Sequence, residues 1–304
     1  MKATQKRLLH LTPGLALAGL LLPGAIQAQP TAHYVPGVEG IKAASLPPPG
    51  FYVRDYNVAY FSDRLNDAQG REIGPADPDA FIYANVPRLI WITEYKLLGG
   101  FLGVDALLPL QYTDLEVNTP GGRFDNSTFG IGDFFVEGTW SAHIEKFDFS
   151  LAYGIWTPTG DSSPRLTTRA GLGYWSHMFT AGATWYLDAE KKWALSALNR
   201  YEINTEKDDT DITPGHAYTL EWGASYTVRP TIDVGVVGYF QQQVTLDSGS
   251  GASNNRDQVA AIGPEISAFC SQIGVNTSLR YLYEFSSEDR LQGHTVALTL
   301  TKRF

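Results

Sequence analysis

Thr295-Val296-Ala297-Leu298-Thr299-Leu300-Thr301-Lys302-Arg303-Phe304 closes the chain, and this stretch decides the fold. Val296, Leu298 and Leu300 fall on one parity; Thr295, Ala297, Thr299 and Thr301 fall on the other. A period of two held over about ten residues describes a strand with one apolar and one polar face. Tyr218 to Val228 repeats the pattern more sharply. Tyr218, Leu220, Trp222, Ala224, Tyr226 and Val228 alternate there with Thr219, Glu221, Gly223, Ser225 and Thr227. If the apolar set meets lipid, Glu221 must face inward, because a charge in hydrocarbon costs a few kcal/mol.

Twelve segments of this kind are expected, near 51–62, 80–97, 101–113, 127–142, 147–157, 174–187, 193–204, 216–228, 232–245, 257–269, 273–285 and 293–304. Their connections alternate in length. Tight turns are expected at 98–100, 143–146, 188–192, 229–231 and 270–272, and long polar loops at 63–79, 114–126, 158–173, 205–215, 246–256 and 286–292. Aromatic residues gather at strand ends, with Trp140, Trp185, Trp193 and Phe304 by the tight turns and Tyr112, Trp156 and Phe285 by the long loops. Sorted loops and two aromatic girdles are features of an outer-membrane barrel. The expected fold is all-β: a transmembrane antiparallel up-and-down β-barrel of about twelve strands.

The amino-terminal end agrees. Lys2, Lys6 and Arg7 precede the apolar run Leu15 to Leu22 and the small residues around Ala25 and Ala28. Positive, apolar and small in that order is a signal peptide, so residues 1–28 are expected to be cleaved, and no Cys at the cut points to a lipoprotein. Elsewhere no stretch reaches the ~20 apolar residues of a membrane helix, a test that barrels evade because their two faces average out. Phe304, ending a strand, resembles the sorting signal read by the outer-membrane assembly machinery. The expected location is the bacterial outer membrane, with both termini periplasmic and lipids and lipopolysaccharide as neighbours. Residues 29–50, with Pro36, Pro47, Pro48 and Pro49, form either a periplasmic linker or a lumen plug ahead of the barrel at 51–304.

Composition narrows the function. A single Cys, Cys270, excludes an intramolecular disulfide. Removing the leader's three basic residues leaves 23 − 3 = 20 Lys+Arg against 32 Asp+Glu, a balance of −12. That acidity disfavours nucleic acid as a partner. Parity turns Asp105, Asp133, Glu137, Arg200, Glu202, Glu221, Arg280 and Glu284 toward the lumen. These are the candidate lining residues of a conduit; alternatively they are a polar network that fills the interior and conducts nothing. The second strand is less orderly. Arg88 and Glu94 share parity with Ile82, Val86, Ile90 and Ile92, and Pro87 interrupts the other parity. A mid-wall bulge at Pro87 is one outcome, and with it a lateral route to the bilayer.

Ser45-Leu46-Pro47-Pro48-Pro49-Gly50-Phe51-Tyr52-Val53-Arg54-Asp55-Tyr56, preceded by Tyr34-Val35-Pro36-Gly37-Val38-Glu39-Gly40, resembles the start of a bacterial family named for the meta-pathway of phenol degradation. Trp156-Thr157-Pro158-Thr159-Gly160-Asp161, Tyr201-Glu202-Ile203-Asn204 and Pro214-Gly215 extend the resemblance over most of the mature chain. It implies an outer-membrane barrel that admits aromatic or other hydrophobic compounds.

Nothing in the sequence asks for enzymology. There is no Gly-x-Ser-x-Gly elbow and no His-Glu-x-x-His motif. His33, His143, His177, His216 and His294 are scattered singly, and Asp208, Asp209 and Asp211 are best taken as a solvated loop rather than a metal site. No cofactor is expected. The leading expectation is passive uptake of an apolar small molecule. A non-conducting structural or binding barrel is the alternative, and an outer-membrane hydrolase ranks third.

Overall fold

The structure is a computed structural model that describes residues 32–74, 77–119, 121–162 and 168–304. The expected signal peptide, and residues 29–31 of the segment that follows it, lie outside the described residues. The strands are β1 (Gly50–Leu65), β2 (Asp77–Leu97), β3 (Gly100–Leu107), β4 (Leu110–Thr119), β5 (Gly122–Ile131), β6 (Phe134–Ile144) and β7 (Phe147–Thr157). They continue as β8 (Ser176–Tyr186), β9 (Trp193–Asn204), β10 (Ala217–Arg229), β11 (Ile232–Gln243), β12 (Gln258–Cys270), β13 (Val275–Glu288) and β14 (Leu291–Arg303).

Every pairing is antiparallel, and β1 closes the sheet by pairing with both β14 and β2. β3 and β4 both pair with β2, on successive lengths of it, and pair in turn with β6 and β5. Each of these couples is therefore one stave of the wall, broken once, at Leu108–Pro109 and at Gly132–Asp133. Counted by staves, the barrel has twelve strands.

Pro87 explains the first break. The β1–β2 register runs without a shift from Gly50↔Ile92 to Ser62↔Ala80, so no bulge interrupts it at Asp55↔Pro87. A strand residue sends its N–H and C=O to the same edge, and Pro87 receives the Leu108 N–H on its carbonyl at 3.3 Å. Its missing donor thus faces β3 and β4, and the ladder resumes on either side of Leu108 and Pro109.

The expected polar loop at 114–126 is instead a hairpin. β4 runs on to Thr119 and β5 starts at Gly122, with Thr119↔Gly122 as the last pair. Acidic residues outside the bilayer carry no penalty in a strand: Asp114, Glu116 and Asn118 line one face, while Thr113, Leu115 and Val117 line the other. Arg123 Nη2 ties to Glu116 Oε2 at 2.7 Å across the pair.

Wall parity follows hydrophobicity. Thr219, Glu221 and Ser225 are buried inside, whereas Leu151, Phe179, Leu195, Val236, Ile266 and Leu279 are exposed on the outer face. The interior is filled by the chain itself. Residues 32–49 run down the lumen, from Trp156 and Ser176 near the long-loop end to Tyr186 and Asp233 near the short-turn end. Each of the four apolar clusters inside the barrel includes a side chain of this segment: Ile41, Tyr34, Leu46 or Val38.

Candidate functional site: a plugged lumen between two chambers

The plug is held mainly by its backbone. Glu202 accepts the N–H of His33 at 3.0 Å and of Tyr34 at 3.1 Å, one on each carboxylate oxygen. Glu221 Oε1 accepts the N–H of Gly37 at 2.9 Å and of Glu39 at 3.0 Å, a small nest of amides around an anion. Glu265 Oε2 accepts the N–H of Ile41 at 2.9 Å, and Arg280 Nη1 donates to the Gly37 carbonyl at 2.9 Å. Two glycines make the fit possible. Gly37 has φ +85, and a Cβ on Gly40 would stand 1.7 Å from Glu265 Oε2. Tyr34 adds a hydroxyl bond of 2.7 Å to Glu221, and its ring lies 3.9 Å from the Arg200 guanidinium carbon.

Two plug side chains reach back to the wall as charges, Lys42 to Asp233 Oδ2 at 2.9 Å and Glu39 to two arginines. Glu39 meets Arg54 Nη1 at 3.1 Å and Arg88 Nη1 at 3.5 Å, and accepts the Tyr56 hydroxyl at 2.6 Å. Burial alone would raise its pKa, but the guanidiniums of Arg54, Arg88 and Arg200 outweigh burial and hold the carboxyl down to about 2. Burial pushes the Tyr34 hydroxyl well above its ordinary value.

The eight lumen-facing acids and arginines named from the sequence are all buried, and they divide by task. Glu202, Glu221, Arg200 and Arg280 hold the plug. Asp105 and Glu137 hold Arg88: Asp105 takes its Nε and Nη2 at 2.8 Å each, and Glu137 takes Nη2 as well. Asp133 gathers the Gly160 and Leu172 N–H groups at 2.8 and 2.7 Å and the His33 ring at 3.1 Å. Glu284 accepts the hydroxyls of Tyr239 and Tyr60 at 2.7 and 3.0 Å and the Gly293 N–H at 2.6 Å. Glu39, Arg54, Arg88 and Glu265 join them, as do Asp148 and the Arg290–Asp257 pair at 3.3 Å, none of them named among the lining candidates. Parity alone turns Arg88 inward, since it shares the phase of Ile90 and Ile92.

Ser176 Oγ, the His33 ring and Asp133 stand in line at 2.8 and 3.1 Å, the order of a hydrolase triad. Ser176 is fully buried, however, and bonds Asn204 Oδ1 at 2.5 Å, so no substrate reaches it. The line fastens the start of the plug. Among the described residues no group of three His, Cys, Asp or Glu is placed to hold a metal.

Two cavities flank this layer. One, of about 310 Å³, lies toward the long loops and is walled by Val58, Ile82, Val86, Leu115, Phe135 and Trp156. The other, of about 280 Å³, lies toward the short turns under Lys42 and Leu46. There the hydroxyls of Thr139, Ser150 and Thr180 have no hydrogen-bond partner in the protein, which makes it a chamber suited to water. Arg88, Glu137 and Arg200 border both cavities. An apolar chamber and a polar one thus meet at a charged septum.

A closed antiparallel barrel with an apolar exterior and its own amino-terminal segment in the lumen is an outer-membrane barrel. This chain belongs to the family described as "Putative MetA-pathway of phenol degradation", whose pattern matches residues 62–300. No curated protein matches it. Among solved structures it is similar to an outer membrane channel from Pseudomonas putida F1, at 15% identity over 89% of this chain and 100% of that one, with a TM-score of 0.74. The β domain of a Bordetella autotransporter is also similar, at 13% identity over 85% of this chain and 100% of that one, with a TM-score of 0.50.

Proposed function

We propose that the protein is an outer-membrane channel for passive uptake of hydrophobic or aromatic small molecules, serving aromatic-compound catabolism and performing no covalent chemistry. The apolar chamber carries this proposal. It reaches the long-loop end at Pro78, Val117 and Leu291, is large enough for a single-ring solute, and ends below on Arg88, Glu137 and Arg200. The charged septum and the polar chamber beneath it are poor surroundings for such a solute. The break at Leu108–Pro109, backed from inside by Leu107 and Pro109, offers a sideways path into lipid. In this orientation the short turns, Gly50 and Phe304 face the periplasm. The signal peptide has been removed, and residues 32–49 enter from the periplasmic side. Assembly through the outer-membrane machinery and contact with lipopolysaccharide belong to the same proposal.

A non-conducting binding barrel is the second possibility, favoured by how completely the plug completes the core. Initial uptake of a dilute apolar aromatic compound by cells with and without the protein decides between them. Ala84→Trp, which fills the chamber from β2, should lower that rate while leaving the barrel folded, as shown by different gel migration before and after boiling, the mark of a detergent-resistant barrel. Equal uptake in all strains would leave the binding barrel standing.

A further inference from the structure

Between its two aromatic bands the described outer wall is apolar except at one patch that carries a charge and at Asn199 across the barrel. On β1, Phe51 stands in the short-turn band, its ring 6.3 Å from that of Phe304, and Phe61 stands in the long-loop band, 5.1 Å from Phe81. The outward positions between them are Val53, Asp55, Asn57 and Ala59. At ~3.3 Å per residue and a tilt of ~40°, Asp55 and Asn57 lie roughly 10 and 15 Å above Phe51, in an apolar band ~25 Å tall. That is mid-membrane.

The neighbouring strand continues the patch. Pro87 faces Asp55, Asn85 faces Asn57, and Tyr83 faces Ala59. Asn57 Nδ2 donates to Asp55 Oδ2 at 2.8 Å and Asn85 Nδ2 to Asp55 Oδ1 at 2.9 Å. Asn57 Oδ1 accepts the Tyr83 hydroxyl at 2.7 Å and Asn85 Nδ2 at 3.2 Å. Among the described residues no cation pairs with Asp55. Asn199, outward on β9 across the barrel, makes the contrast. It is neutral and closed off by the Tyr218 hydroxyl at 2.7 Å and the Ala181 carbonyl at 3.2 Å. Lipid can leave Asn199 as it is; a carboxylate served only by two amides needs more.

We infer that the Asp55–Asn57–Tyr83–Asn85 patch is the contact through which two copies of this chain associate side by side in the membrane. An ionisable group at this depth marks a polar contact, because hydrocarbon supplies neither donors nor charge. Every copy is inserted in the same direction, so a patch at one depth meets the same patch on its neighbour about a two-fold axis along the membrane normal. The patch is self-complementary: Asp55 keeps lone pairs that accept, Asn57 Nδ2 keeps one hydrogen that donates, and the Tyr83 oxygen can accept. Leu298 and Leu300 of β14, opposite Asn57 and Asp55, give the contact an apolar flank.

The test is crosslinking in native outer membranes in a Cys270→Ser background. Ala59→Cys, beside the patch, should form a dimer with a short bismaleimide; Ala197→Cys, outward on β9, should stay monomeric. Adding Asp55→Leu and Asn57→Leu should lower the dimer at least about fivefold, as befits loss of membrane hydrogen bonds. The gel shift on boiling should persist in that variant and so certify its fold. If it does not, Asp55→Leu alone is read in its place. Asp55→Asn, which keeps the hydrogen bonding, should keep the dimer. Failure of Ala59→Cys to crosslink, equal crosslinking at both positions, an adduct of another mass, or a dimer that survives the leucines would overturn the inference. None of these outcomes depends on solute uptake.

Discussion

Replacing Glu39 with Gln should loosen the plug while leaving the barrel closed. Glu39 supplies the one carboxylate that the plug contributes to the septum, and its side chain is only 13% exposed. Its carboxyl falls from the ordinary 4.5 to about 2 in the docked state. That gap of about 2.5 pH units is worth about 3 kcal/mol at ~1.36 kcal/mol per unit, or a few hundredfold in the ratio of docked to released plug. Because the docked value is the lower one, the contribution is complete above pH 4.5 and fades as the pH falls toward 2. Gln still accepts from Tyr56, but it leaves Arg54 with two neutral hydroxyls, Thr301 at 3.1 Å from its Nε and Tyr56 at 3.4 Å from its Nη1, and a buried cation without its carboxylate is costly. Conductance in planar bilayers provides the assay. The wild type should stay quiet at neutral pH and open progressively below pH 4.5. Glu39→Gln should conduct at neutral pH and change less on acidification. The wall carboxylates are common to both proteins, so the difference between the curves isolates Glu39. Superimposable curves would refute the latch.

Gly40→Ala brings a methyl group against Glu265 Oε2, and overpacking of this kind costs ~1–3 kcal/mol. It should raise conductance at neutral pH without the acid dependence of the wild type. Leu220→Arg should cost roughly 2–4 kcal/mol in a urea refolding titration. Ala152→Arg, beside the polar chamber, should cost clearly less, and equal losses would invert the assignment of wall faces. Phe304, whose N–H bonds the Phe51 carbonyl at 2.9 Å, should be needed for sorting. Phe304→Ser should lower the amount of protein in the outer membrane, as read by blotting of sucrose-gradient fractions.

The barrel was legible because a strand between lipid and lumen must alternate, and alternation survives in every stave from β7 to β14. It failed where the constraint lapses. Asp114, Glu116 and Asn118 give the outward face of β4 the polarity of a loop, and Leu115 and Val117 alone on the other face are too short an apolar run to give the hairpin with β5 away. Pro87 was visible, but only coordinates show that its missing donor points away from β1. Candidate lining residues could be placed inward one at a time, whereas their partners could not. Glu221 and Gly37 are 184 positions apart, and no periodicity in Tyr34 to Gly40 announces a docked segment. Thr219 shows the limit well. Parity makes it a wet lumen position, yet it is buried and bonded to Gln241, because the plug occupies the space before it.

Glu202, Glu221 and Glu265 grip the plug through main-chain N–H groups, which every residue except proline possesses. Apart from Tyr34, Gly37, Glu39 and Gly40, anchorage therefore makes little demand on which side chains the plug carries. Val35, Pro36 and Val38 line the apolar chamber from below, and Val35 and Pro36 lie outside the gripped positions. A sequence drifting under selection can rewrite the floor of that chamber, larger or smaller, greasier or more polar, while the moorings stay put. Divergence in what related barrels admit can then accumulate in a few consecutive codons near the amino terminus, with the twelve-stranded wall left almost untouched.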